Sequence, residues 1–153
     1  MKNPLFVLVV PALILSPVSA ALADKPFTVG DLKGHYGFSF QGEVVGLAAV
    51  AATGMIVADG KGKITQAVRT INAGGVPVTE TFTCTLTVNA NGTGSAVCPL
   101  DNPVPGSPAV ETFDFVLEEN GEAFRFVSTT PGIVVLGSGA SQLRRAGSEK
   151  HGD

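Results

Sequence analysis

From Thr79 to Val88 the chain alternates without a break. Thr79, Thr81, Thr83, Thr85 and Thr87 occupy one parity, and Glu80, Phe82, Cys84, Leu86 and Val88 the other. A period of two is that of a β-strand with two unlike faces. β-Branched hydroxyl residues suit an exposed pleat, so the threonine row is expected to face water and the opposite row the core. The same alternation recurs at 35–41, where Tyr36, Phe38 and Phe40 interleave with Gly37, Ser39 and Gln41. It recurs at 109–118, with Phe113, Phe115 and Leu117 against Thr112, Asp114 and Val116, and at 123–128, where Phe124 and Phe126 flank Arg125. Less regular apolar runs at 47–58, 63–72, 94–100 and 133–143 complete the series with the threonine run at 76–88.

Turn chemistry separates these runs. Asp59-Gly60-Lys61-Gly62, Gly74-Gly75, the segment 89–93 around Asn91-Gly92, Glu119-Asn120-Gly121-Glu122 and Thr130-Pro131-Gly132 each break a strand, and Pro103, Pro105 and Pro108 mark a longer loop. Asp-Gly is a strong hairpin signal because these residues accept positive φ. No stretch after the first two dozen residues reads as a helix. Eight runs joined mostly by short turns predict an all-β domain, a small eight-stranded antiparallel up-and-down barrel, with a two-sheet sandwich as the alternative. Such a barrel is either filled by its own side chains or holds one small ligand.

The cysteines test the register. A hairpin centred on Asn91 pairs residues equidistant from it, and Cys84 and Cys98 each lie seven residues away. Directly opposed residues are close enough to bridge. The pair is expected to be a structural disulfide worth about 2–4 kcal/mol, rather than a redox centre, because there is no Cys-x-x-Cys spacing.

The N-terminus has a different character. Lys2 is followed by an almost wholly apolar run from Leu5 to Leu15, then small residues ending Ala21-Leu22-Ala23. These are the parts of a secretory signal peptide, and the run is too short for a membrane span. The expected organisation is a signal peptide at 1–23, a lead-in at 24–33, a barrel at 34–144 and a polar tail at 145–153. The mature protein is then exported, periplasmic or extracellular, with no membrane span, in a compartment where disulfides persist.

Composition narrows the function. Only 15% of the 153 residues are charged, the net charge is -3, and there are 19 glycines and no tryptophan. No basic face is available for nucleic acid. An outer-membrane barrel would need aromatic girdles, for which one tyrosine is too few. His35 and His151 have no metal-ligand spacing, no serine sits in Gly-x-Ser-x-Gly, and no cofactor is implied. Asn91-Gly92-Thr93 matches a glycosylation sequon, but a turn explains it. Glu80 is expected at the barrel rim, facing water. The alternative is a buried carboxylate paired with an arginine, which with Tyr36 would supply polar handles in an apolar cavity. Arg125 is expected outside, and Arg69 fits either face. The candidate ligand-contacting residues are Tyr36, Phe38, Phe40, Glu80, Phe82, Phe113, Phe115, Phe124 and Phe126.

Several motifs carry a resemblance. They are Leu32-x-Gly34-x-Tyr36-x-Phe38, Gly54 followed by Asp59-Gly60-x-Gly62-x-Ile64, and Asn91-Gly92-Thr93-Gly94. Phe113 to Leu117, Asn120-Gly121, Phe124 to Val127 and Gly137-x-Gly139 continue the series. The chain resembles a group of uncharacterised exported bacterial β-barrel proteins whose fold is similar to the allene oxide cyclase-like and lipocalin-like (calycin-type) barrels. The resemblance covers most of 32–144 and implies a barrel; no catalytic residue of the cyclases matches this chain. The leading expectation is a non-catalytic exported barrel binding a small apolar ligand. The alternatives are a cyclase- or isomerase-type barrel enzyme using Tyr36 or Glu80, and a purely structural envelope or surface domain. An interior cavity below the roughly 300 Å³ of ordinary ligand sites would count against both the carrier and the enzyme.

Overall fold

The computed structural model describes residues 25–103 and 107–142. The expected signal peptide and polar tail lie outside the described residues. Eight strands follow one another: β1 (Lys33–Val44), β2 (Ala48–Asp59), β3 (Lys63–Ala73), β4 (Val76–Val88), β5 (Thr93–Pro99), β6 (Val110–Glu118), β7 (Ala123–Ser128) and β8 (Ile133–Ser141). Each pairs antiparallel with the next, and β8 returns to β1, closing an up-and-down barrel in sequence order. The sandwich alternative is thereby excluded. Two single turns of 3-10 helix, Val29–Asp31 and Glu119–Gly121, lie outside the strands; the second replaces what the sequence reads as a plain turn.

The faces fall as the alternation requires. All five threonines of β4 are exposed, while Glu80, Phe82, Cys84 and Leu86 are buried. From β1, Tyr36, Phe38 and Phe40 point inward. They are joined by Val50, Ala52, Ile56 and Ala58 of β2, Ala96 and Cys98 of β5, Leu117 of β6 and Val135 of β8. The interior of an eight-stranded barrel is just wide enough for side chains to fill.

Two local features shape that interior. The first is a β-bulge in β3. Ile64 faces Cys84 and Ala67 faces Phe82, so one extra residue stands on β3. Thr65 and Gln66 are both exposed, and the inward parity changes from even (Ile64) to odd (Ala67, Arg69). The second is the pairing of phenylalanine with glycine. Phe115 stands opposite Gly94, and Phe124 and Phe126 stand opposite Gly139 and Gly137. A Cβ added at any of these glycines would run into the facing ring. The rings lie across the neighbouring strand where a side chain would otherwise be, which packs a crowded lumen without displacing the backbone.

Cys84 and Cys98 form a disulfide with Cα atoms 4.2 Å apart, on the inner faces of β4 and β5. The neighbouring pairs Thr85–Val97 and Leu86–Ala96 follow the register expected from a hairpin centred on Asn91. Both cysteines are almost fully buried, at 4% and 2% exposure.

The lead-in before β1 folds over one end of the barrel. The Asp31 carboxylate accepts hydrogen bonds from the Thr28 backbone N–H and hydroxyl, at 2.7 and 2.8 Å, which forms a capping box. Lys25 donates to the same carboxylate at 3.2 Å. Leu32 follows and is buried in the barrel mouth. At this end lie the turns 60–62 and 89–92, the Glu119–Gly121 turn and the end of β8, where the Gln142 N–H donates to the His35 carbonyl.

Candidate functional site

The barrel lumen holds a concavity. Seven of the candidate residues, Phe38, Phe40, Phe82, Phe113, Phe115, Phe124 and Phe126, line one space together with aliphatic residues and the disulfide. The rings meet edge-on: Phe126 contacts Phe38, Phe40 and Phe113 at centroid distances of 6.3, 6.2 and 5.6 Å. Such T-shaped contacts suit the quadrupoles of neighbouring rings. Leu32 closes the space at one end and Arg69 borders it at depth. The free volume is about 70 Å³. Four of the rings, Phe113, Phe115, Phe124 and Phe126, point inward yet are only half-buried.

The charged residues of the interior form one cluster. The Arg69 guanidinium donates from Nη1 and Nη2 to the two carboxylate oxygens of Glu111, at 2.6 and 2.9 Å. Its Nε donates to Glu80 Oε2 at 2.7 Å. The guanidinium also lies 5.6 Å from the Phe40 centroid and 5.4 Å from that of Phe82. Arginine suits this place because its planar fork satisfies two carboxylates while its faces meet aromatic rings. Burial opposes the Arg69 charge, but Glu111 and then Glu80 outweigh it and hold its pKa above the ordinary value.

Glu80 corrects the sequence expectation. It is not at a wet rim but 1% exposed, the most buried large side chain of the described residues. The reason lies in register: Arg69 of β3 stands directly opposite Glu80 on β4 and supplies the compensating cation. Arg125 is outside as expected, where it pairs with Glu118 at 3.0 Å.

Glu111 is the residue that sequence reasoning missed. It shares the parity of Phe113, Phe115 and Leu117, and it stands opposite Cys98. Once Cys98 is placed inside, Glu111 has to be inside too, so the signal was present in the register.

Tyr36 is buried but does not line the lumen space. Its hydroxyl donates to the Gly121 carbonyl at 2.8 Å and accepts from the Lys33 N–H at 3.2 Å. Burial raises its phenol above the ordinary value; the Lys33 hydrogen bond opposes this and the Glu122 charge adds to it. Tyr36 therefore ties the lead-in end of the barrel together, while Glu80 is engaged with Arg69. Neither Tyr36 nor Glu80 lines the lumen space.

His35 is exposed on the outer face of β1, and His151 lies outside the described residues. On the outside, small residues of β1, β2 and β8 (Gly37, Ser39, Thr53, Ser138, Ala140) leave a shallow open depression beside the Arg125–Glu118 ion pair. No helix of the described residues is long and apolar enough to cross a membrane. Compared with protein-family models, curated proteins and solved structures, the chain matches none of them.

Proposed function

We propose that the protein is an exported, non-catalytic β-barrel whose interior is a packed core and whose contacts with its surroundings are made by its outer face, as in a structural envelope or surface domain. The likeness to lipocalin-like and allene oxide cyclase-like barrels belongs to the proposal only as a likeness of architecture. The observation that carries the reading is the free lumen volume of about 70 Å³, against the roughly 300 Å³ at which ordinary ligand sites begin. Every polar group expected to serve chemistry is already used in holding strands together: Arg69 by two carboxylates, Glu80 by Arg69, and Tyr36 by Gly121. The buried disulfide fits passage through an oxidising compartment.

One observation favours a second reading, a lumen that takes a small apolar molecule: the four inward rings that keep accessible surface. A titration of the native protein with anilinonaphthalene sulfonate separates the two for ligands of ordinary size. The packed-core reading expects no fluorescence gain until the protein unfolds. Saturable one-to-one binding with the near-UV dichroism intact would overturn it.

A further inference from the structure

One wall of the lumen space lies outside the strands. Of the residues around it, only Leu32 belongs to the lead-in; the others are strand residues. The segment from Lys25 to Leu32 is organised mainly by itself. The Thr28–Asp31 capping box, the Lys25–Asp31 ion pair and the Leu32 N–H to Val29 carbonyl bond all lie within it. Among the described residues, its hydrogen bonding to the barrel wall comes down to the Phe27 N–H donating to the Ala90 carbonyl at 3.0 Å. The rest of its hold is apolar and steric: the Phe27 ring against Gly92, the Asp31 carbonyl against Gly121, and Leu32 in the mouth. It joins β1 through Lys33-Gly34. Gly34 has φ +111° and open space where a Cβ would stand, but Lys33 and Gly34 pair with Asp59 and Ala58 of β2 and the Lys33 N–H donates to the Tyr36 hydroxyl, so turning there first frays the start of β1.

We propose that residues 27–32 are a gate, and that lifting Leu32, with Lys33 and Gly34 unpaired from the end of β2, opens an apolar binding site for a small non-polar molecule of about the size of benzene. The four side-chain carbons of Leu32 displace on the order of 100 Å³, taking each at about a water's ~30 Å³ share of liquid volume. Vacated beside the existing space, that volume brings the site towards the ~150 Å³ apolar cavities that stay dry and accept benzene or xenon. The ligand is non-polar because the walls near the gate are Ile56, Ile64, Leu86, Phe115 and Phe124. The guanidinium at the far end is already saturated by carboxylates. The inference goes beyond the packed-core reading. In the closed state the core is nearly full, and Leu32 is the part of the filling that can leave.

Fluorine NMR of fluorobenzene with the otherwise unaltered chain tests this in three forms: unsubstituted, Leu32→Ala and Asp31→Ala. Asp31→Ala dissolves the capping box and touches no lumen atom. The gate expects fluorobenzene to bind Leu32→Ala at least tenfold tighter than the unsubstituted protein. It also expects Asp31→Ala to speed exchange of bound fluorobenzene about tenfold, with Leu32→Val giving an intermediate affinity if the alanine variant fails to fold. Binding by the Leu32 variants with no change of exchange in Asp31→Ala would overturn the gate while leaving an apolar site. No binding by any folded form would overturn the site as well, and only the packed core would stand.

Discussion

The interior arginine is the residue on which the barrel depends most. Arg69 is 3% exposed and bonded to two buried carboxylates. Removing one partner of a buried ion cluster costs about 3–5 kcal/mol, because the charges left behind lose their compensation. Arg69→Met keeps the length of the side chain between Phe40 and Phe82 and is expected to cost that much in urea unfolding. Combining it with Glu80→Gln and Glu111→Gln is expected to recover most of the loss, since the replacement then buries no uncompensated charge. A loss below about 1 kcal/mol in the single variant would mean that the cluster is hydrated, contrary to its burial. The role of Arg69 was not legible from alternation alone. β3 carries two residues, Thr65 and Gln66, on the wet side in succession, and no parity count from Ile64 puts Arg69 inside. A bulge is an event of pairing between strands, and its signal in one strand's sequence is weak.

At the scale of elements, the hairpin β4–β5 was the most legible part, because its alternation, its turn and its cysteines all point to one register. The threonine row, the inward Phe82-Cys84-Leu86 row and the bridge all follow from it. The lead-in turn was legible only as a segment before the first strand; that Leu32 would enter the lumen depends on closure of the whole barrel. The same hairpin gives a prediction. The bridge spans a separation of 14 residues, for which the chain-entropy argument gives about 3 kcal/mol. Cys84→Ala with Cys98→Ala is therefore expected to lower unfolding stability by about that amount while the circular dichroism of the folded state stays unchanged. With both sulfurs inside, a thiol reductant should act no faster than the barrel opens. Reduction rates followed by thiol labelling are then expected to rise steeply with urea and to level off with reductant concentration. A rate proportional to reductant in native buffer would contradict the interior placement.

At the scale of the whole molecule, closure decides the behaviour of the surface. The pairing of β8 with β1 runs from Tyr36–Ser141 to Val44–Ile133, which closes the barrel. A chain ending at Gly132 would leave β1 and β7 as open edges beside an apolar interior. It is expected to form thioflavin-positive aggregates at concentrations where the complete chain is monodisperse by light scattering. The eightfold order was readable from turn spacing, because each hairpin announces itself locally. The closing contact joins strands about a hundred residues apart in sequence and is announced by no motif. Closure also limits how the protein meets others. Among the described residues the shortest ladder is that of β4 with β5, from Thr85–Val97 to Val88–Gly94, so an extended peptide adding a strand finds little edge outside the start of β4. Elsewhere a partner reads side chains: the threonine rows, the depression beside Arg125, the exposed Val127, Val134 and Leu136 of β7 and β8, or the loop ends where Val45, Leu47 and Val76 stand exposed.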